Sequence, residues 1–241
     1  MRLLVLFDID GTLIHTAGAG KAAVETALVE VFGTAGAIRD LPFDGMTDGA
    51  IVRTLLGAAG LPDPDIDRGL PDLWPRYEIL LDRELERRRD RIRVADGVFP
   101  LLDRLEGAGA AVGLLTGNIA GGAGRKLRAC GLADRFAFGA FGSDSEHRDD
   151  LPAIAVARAC EATGTRFEPD RTWVVGDTPR DVQCARAGGL RSLAVATGRY
   201  SVADLDGCGP DHVVGSLDDT EGVLGVLHGS AVPSARIRAL P

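Results

Sequence analysis

Two carboxylates, one residue apart, close a short apolar run: Phe7-Asp8-Ile9-Asp10-Gly11-Thr12-Leu13. Residues 2–7 are short, branched and apolar, which suits a strand covered on both faces. Acids directly after such a strand would lie at its carboxyl end, where open α/β sheets place their sites. Spaced i and i+2, they can point to one side of an extended chain, and Gly11 permits a sharp turn. Two acids so close repel each other, and a hard divalent cation with oxygen ligands relieves that repulsion. The structural alternative is a plain acidic turn, for which Asp-x-Asp-Gly-Thr is an unusual sequence.

Two further runs end in the same manner. Val112-Gly113-Leu114-Leu115-Thr116-Gly117-Asn118 offers a hydroxyl and free backbone N–H groups before a helix, a natural contact for phosphate oxygens. Taken alone, Thr116-Gly117-Asn118 reads better as a helix-start turn. In Trp173-Val174-Val175-Gly176-Asp177-Thr178-Pro179-Arg180-Asp181 a strand closes on Asp177, and Asp181 falls one turn into the next helix. There Asp181 could orient a metal water, while a second reading has Asp177 capping a helix opened by Pro179. Three oxygen-ended strands make coincidence a poor explanation.

The elements that must hold these ends follow from periodicity. Helical patterns are expected over residues 21–32, 50–59 and 70–93, the last closing in a charge-dense face of both signs. From residue 96 helices alternate with apolar strands: helix 99–105 before strand 110–115, helix 124–130 before 136–141, helix 153–161 before 172–175, and helix 180–187 before 191–196. A last strand-helix pair fits 212–227. Such alternation implies an α/β fold, a Rossmann-like, doubly wound, mainly parallel sheet with helices on both faces. The block 15–93 lacks strands of this kind and reads as an all-helical insertion. The division is therefore a core of residues 1–14 and 94–228, a helical cap of 15–93, and a loosely ordered tail of 229–241.

In these segments, and in their order, the chain resembles the haloacid dehalogenase superfamily, in the phosphoglycolate-phosphatase-like branch with a helical cap after the first strand. The likeness covers residues 2–227. Asp8-Ile9-Asp10-Gly11-Thr12 is similar to the first motif, Thr116 to the second, and Gly176-Asp177-Thr178-Pro179-Arg180-Asp181 to the fourth. The resemblance implies a magnesium-dependent phosphatase acting on a small phosphorylated metabolite through an aspartyl phosphate. It makes Asp8 the nucleophile and Asp10 the acid/base. The Asp8 side chain, the Asp10 backbone carbonyl and Asp177 would hold Mg2+, Asp181 would support its waters, and Thr116 and Gly117 would contact the phosphate.

The third motif departs from the family. A lysine is usual there, yet residues 142–152 contain none, and Arg148 is the best substitute. Arginine can hold phosphate and the nucleophile carboxylate, as a planar fork rather than a point charge. The alternative is a solvated loop arginine paired with Asp149 or Asp150. Asp10 disfavours a dehalogenase or a phosphonate hydrolase. A β-phosphoglucomutase-like phosphomutase keeps both acids and is the enzymatic rival; a catalytically silent binding protein of the same fold is the rival from another class.

Bulk composition narrows the partners. A net charge of -8 over 241 residues argues against a nucleic-acid backbone. No apolar run approaches the roughly 20 residues that span a membrane. The opening apolar stretch is broken by Asp8 and Asp10 without a cleavage site, so a cytoplasmic protein is the default expectation. Cys130, Cys160, Cys184 and Cys208 form no CxxC pair, which leaves zinc or redox chemistry little support. Gly18-Ala19-Gly20-Lys21 lacks the first Walker glycine and the final Ser/Thr. His15 reads as entrance or hinge with neither favoured. The segment Phe43-Asp44-Gly45-Met46-Thr47-Asp48 either reaches the substrate or caps a helix through Thr47 or Asp48. Oligomeric state is left open by the sequence.

Overall fold

The computed structural model describes residues 2–229, so the tail expected over 229–241 lies, apart from Gly229, outside the described residues. In chain order the first elements are β1 (Leu4–Phe7), β2 (Ile14–His15), α1 (Ala19–Phe32), α2 (Asp48–Ala58), α3 (Asp63–Arg87) and β3 (Arg93–Val94). Then come α4 (Val98–Gly107), β4 (Ala111–Leu115), α5 (Ala120–Ala129), β5 (Gly139–Ala140), α6 (Leu151–Thr163) and β6 (Thr172–Gly176). The chain continues through α7 (Pro179–Ala187), β7 (Arg191–Val195), α8 (Val202–Asp206), β8 (His212–Val214) and α9 (Thr220–His228).

Six strands form one parallel sheet in the order β5-β4-β1-β6-β7-β8. Every residue of β1 is buried, because alternate side chains enter different cores. Val5 and Phe7 pack with Leu101, Leu105, Leu127 and Leu224 from α4, α5 and α9. Leu4 and Leu6 face the other way, onto Leu151, Ala155 and Cys184 from α6 and α7. This is the doubly wound arrangement expected from the alternation of helices and strands.

The order reverses beside β1, with β4 and β5 on one flank and β6, β7 and β8 on the other. Register does the rest. Phe7 lies opposite both Leu114 and Val175. The residues that follow these three strands therefore emerge together at one edge, the crevice where such sheets bind ligands.

Helices α1, α2 and α3 build a separate cluster around Leu28, Val52, Leu56, Ile66, Leu73 and Leu81, joined by Ile119 from the start of α5. The expectation of a strand-free insertion is corrected at its base. Ile14–His15 and Arg93–Val94 pair antiparallel, Ile14 opposite Val94 and His15 opposite Arg93. The third helix also differs from the expected 70–93: α3 begins at Asp63 and ends at Arg87. Pro71 and Pro75 lie inside it, a placement that costs about 3 kcal/mol in an isolated helix. Burial of Leu73, Tyr77, Leu80, Leu81 and Leu85 along one face opposes that cost.

Two other boundaries shift. The strand expected over 136–141 shrinks to Gly139–Ala140, and Phe136 and Phe138 serve as packing groups instead. Helix α5 starts at Ala120 rather than 124; Gly121 and Gly122 weaken its local signal, yet they let α3 approach closely through Glu78 and Tyr77. Among the described residues no helix is long and apolar enough to cross a membrane.

Candidate active site

The end of β1 turns within a few residues. Leu13 and Ile14 donate backbone N–H groups to the Ile9 carbonyl, and Gly11 donates to the Ile14 carbonyl. Gly11 sits at φ 85°, and a Cβ there would fall inside the Asp177 carboxylate, so both backbone strain and lack of space demand glycine. Asp8 emerges buried, its amide bonded to the Val175 carbonyl at 2.9 Å.

Three carboxylates meet here. Ligand oxygens of Asp8, Asp177 and Asp181 all lie within 4.8 Å of one another, and all three residues are buried. Arg148, buried in a short turn before α6, donates from Nη2 to Asp8 Oδ1 at 3.1 Å and also to Asp181. Its Nη1 reaches the Gly45 carbonyl at 3.3 Å, and its Nε has no partner among the described residues. Pairing with Asp149 or Asp150, the solvated-loop alternative, is not what the structure contains.

Asp181 is held from a second side. It is the third residue of α7, where Thr178 caps the helix; Asp181 Oδ2 accepts from the Thr178 amide at 2.9 Å and hydroxyl at 2.7 Å. The cap is thus Thr178, not Asp177, because Asp177 turns inward to accept from the Thr12 hydroxyl at 3.1 Å.

Thr116 continues β4, its amide bonded to the Ala140 carbonyl. Its Oγ1 accepts from Asn118 Nδ2 at 2.8 Å, which leaves the hydroxyl hydrogen available to an incoming oxygen. Gly117 has no room for a side chain, since a Cβ would strike the Met46 carbonyl of the helical unit. Asp10, at the same edge as Asp8, presents Oδ2 to Asn118 Nδ2 at 2.8 Å and to Lys126 Nζ at 2.6 Å.

Asp8, Asp10, Thr116, Arg148, Asp177 and Thr178 wall a cavity of about 950 Å³ between sheet edge and helices. Phe43, Asp44, Gly45, Met46 and Asp48 form part of its far wall, while Thr47 caps α2 by accepting from the Ala50 amide. The helix cap is thus Thr47, with its neighbours facing the cavity. His15 lines the cavity from the two-stranded ribbon, where burial and Arg93 hold its imidazole below the usual value. Lys21 lines it too, but donates to the Leu41 carbonyl and lies 4.9 Å over the Phe43 ring.

Comparison with known proteins places this arrangement. The family model described as haloacid dehalogenase-like hydrolase matches residues 3–189. The chain belongs to the haloacid dehalogenase-like hydrolases. It is similar to a phosphoglycolate phosphatase of Xanthomonas campestris, at 30% identity over 211 residues, covering 84% of this chain and 86% of that one. Similarity to an N-acetylmuramic acid 6-phosphate phosphatase of Pseudomonas aeruginosa is 30% over 200 residues, covering 82% and 84%. Among solved structures, a hydrolase from Pseudomonas syringae superposes with a TM-score of 0.70 at 22% identity, covering 93% of this chain and 99% of that one. The chain is a phosphatase of the haloacid dehalogenase-like family, a hydrolase of phosphoric monoesters.

The electrostatics of this phosphatase test whether its residues suit a divalent cation. Burial pushes the Asp177 carboxyl up to about 9, reinforced by Asp181 and Asp8 against the bond from Thr12. Asp8 is pushed up to about 6, chiefly by burial; Arg148 opposes the rise, and Asp181 and Asp10 add to it. One guanidinium shared between Asp8 and Asp181 leaves the carboxylate cluster short of positive charge. Oxygen donors only, crowded and undercompensated, are the donor set of a hard cation such as Mg2+. The residues fit.

On the sequence alone Thr12 and Asn118 receive no role, Asp48 reads as a helix cap or part of a substrate-facing segment, and Lys126 is passed over. Asp48 Oδ2 accepts from the Ile119 amide at 2.8 Å, and the Asp48 amide donates to the Gly117 carbonyl at 2.7 Å. Burial pushes Asp48 up to about 6, countered by Lys126 and the Ile119 bond. The available signal was for Lys126: of 27 lysines and arginines, only it and Lys21 are lysine.

Proposed function

We propose that this phosphatase hydrolyses a small phosphate monoester, phosphoglycolate-like or a sugar phosphate, through an aspartyl phosphate on Asp8. The observation that carries the reading is the convergence of Asp8 and Asp177 at adjacent strand ends with Asp181 from the first turn of α7 and Arg148 from the turn before α6, under a cavity that continues toward the helical unit. The Asp8 carboxylate, the Asp10 backbone carbonyl and Asp177 would hold Mg2+, with Asp181 fixing its waters. When bound, the ion supplies positive charge against the phosphoryl oxygens and keeps Asp8 and Asp177 ionised.

Asp8 Oδ attacks phosphorus in line while the bond to the leaving oxygen breaks, and Asp10 gives that oxygen its proton. A water then attacks the phosphorus of the aspartyl phosphate, Asp10 takes its proton, and Asp8 leaves as carboxylate with inorganic phosphate. Arg148, the Thr116 hydroxyl and the Gly117 amide hold the equatorial oxygens as charge develops on them. Residues 15–93 act as a cap that encloses the leaving group, which puts substrate choice largely on this unit.

The test compares wild type with Asp8→Asn for magnesium-dependent release of phosphate from a panel of small phosphate esters. Wild type is expected to turn over one class at 1 s⁻¹ or faster, roughly the usual range for enzymes, and the variant to be inactive. Equal rates, or a wild-type rate unaffected by EDTA, would remove this mechanism.

A further inference from the structure

Lys126 is buried, lines the cavity, and has no part in the chemistry just described. It lies in the last turn of α5, and helical side chains lean toward the helix N-terminus, so its ammonium reaches back to the loop after β4. There Nζ donates to Asp10 Oδ2 at 2.6 Å and to Asn118 Oδ1 at 2.5 Å. Asn118 Nδ2 in turn donates to the same Asp10 oxygen and to Thr116 Oγ1. Two donors therefore converge on Oδ2 of Asp10, while Oδ1 accepts no hydrogen bond among the described residues.

The helical unit closes the far side of this pocket. A methyl added at Gly20 would stand 3.3 Å from Lys126 Nζ and 3.8 Å from the Tyr77 hydroxyl. A compact ammonium suits that space better than the wider fork of a guanidinium. In a chain whose other basic side chains, Lys21 apart, are arginines, lysine at this position has a steric reason.

We propose that Lys126 is a positioning residue for leaving-group protonation: with Asn118 it occupies Oδ2 of Asp10 and confines the transferable proton to Oδ1. A carboxyl free to carry its proton on either oxygen presents the wrong one part of the time. With Oδ2 saturated by donors, a proton there would meet two N–H groups, so the acid is formed on Oδ1 and is free to meet the ester oxygen. The inference rests on the phosphatase chemistry proposed above and adds a residue to it.

The experiment measures kcat/KM of wild type, Lys126→Met and Lys126→Gln across aryl phosphates, from p-nitrophenyl phosphate to phenyl phosphate, with Mg2+ present. This ratio reports the steps up to departure of the leaving group. A p-nitrophenolate departs without a proton, whereas a phenolate of higher basicity needs one. Lys126→Met is expected to lose about 3-fold or less on the nitrophenyl ester and about 100-fold on the phenyl ester, the scale of general acid catalysis. Inhibition by inorganic phosphate is expected to be unchanged. A loss equal for every leaving group, or no loss, overturns the proposal. Lys126→Gln gives the same readout if the methionine variant does not fold. Asp8→Asn in the same series separates the two ideas: activity in that variant defeats the phosphatase mechanism, and its silence alongside parallel lines for Lys126→Met defeats the role of Lys126 alone.

Discussion

Arg148 serves two buried carboxylates with one nitrogen, Nη2, and that sharing decides how it can fail. Removing it takes the cation from Asp8 and Asp181 in a buried site, and with it the charge proposed to face the phosphoryl oxygens. Arg148→Met is expected to lower kcat by about 10²–10³-fold, the range for loss of one charge-stabilising donor. Arg148→Lys keeps a charge but not the fork, and is expected to retain more kcat than the methionine variant in steady-state assays. A full-rate Arg148→Met enzyme would mean that the guanidinium only neutralises its neighbours. Residues 142–152 hold no lysine, and Arg148 of that segment is the cation bonded to Asp8 and Asp181.

At the scale of elements, the first turn of α2 is bonded into the loop after β4 in both directions. The Asp48 amide donates to the Gly117 carbonyl, and the Asp48 carboxylate accepts from the Ile119 amide. Arg53, further along α2, grips Glu146 through Nε and Nη2, both at 2.7 Å, two residues before Arg148. Helical unit and sheet edge are thus fastened beside the groups proposed to hold phosphate. Asp48→Ala deletes an acceptor worth about 1.5–3 kcal/mol as a charge-assisted bond. Its KM is expected to rise about 10-fold with a smaller fall in kcat, while Asp48→Asn, whose amide oxygen still accepts, is expected to stay near wild type. An unchanged KM in Asp48→Ala would show that the clasp contributes nothing to substrate binding.

Proton and metal linkage act on the whole molecule. Asp8 and Asp177 have raised values, about 6 and about 9, against an ordinary 3.8. Between the unfolded and folded values the metal-free native state holds protons that the unfolded chain has released, so its stability falls as pH rises. That stabilisation is complete below pH 3.8 and lost as pH climbs through about 6 for Asp8 and about 9 for Asp177. Mg2+ at the proposed site would displace those protons and bind only the folded state, so its stabilisation would follow the opposite trend. Thermal melts in EDTA are expected to show a falling Tm from about pH 6 to about pH 8.5, with a larger gain from Mg2+ at the higher pH. Asp177→Asn should abolish most of that gain. A gain from Mg2+ that is independent of pH and survives in Asp177→Asn would place the ion elsewhere.

Periodicity alone carried the α/β class, the strand runs and the oxygen-bearing residues at their ends, because burial on two faces and emergence at a strand end are local patterns. Asp8, Asp10, Thr116, Asp177 and Asp181 are legible for that reason. Boundaries shaped by neighbours were not: glycines hid the start of α5, residues 63–69 at the start of α3 showed no period of their own, and the two-residue ribbon of Ile14–His15 with Arg93–Val94 is too short to leave one. Arg148 beside the Asp8 carboxylate was expected from the sequence, whereas its sharing with Asp181 and the pairing of Lys126 with Asp10 belonged to tertiary structure. Lys126 stands 116 residues from Asp10, and Arg148 140 from Asp8, and only the parallel register and the packing of α3 on α5 bring them within hydrogen-bonding distance. Charge compensation in a buried site is a sum over neighbours in space, and a linear sequence does not contain that sum until the sheet has formed.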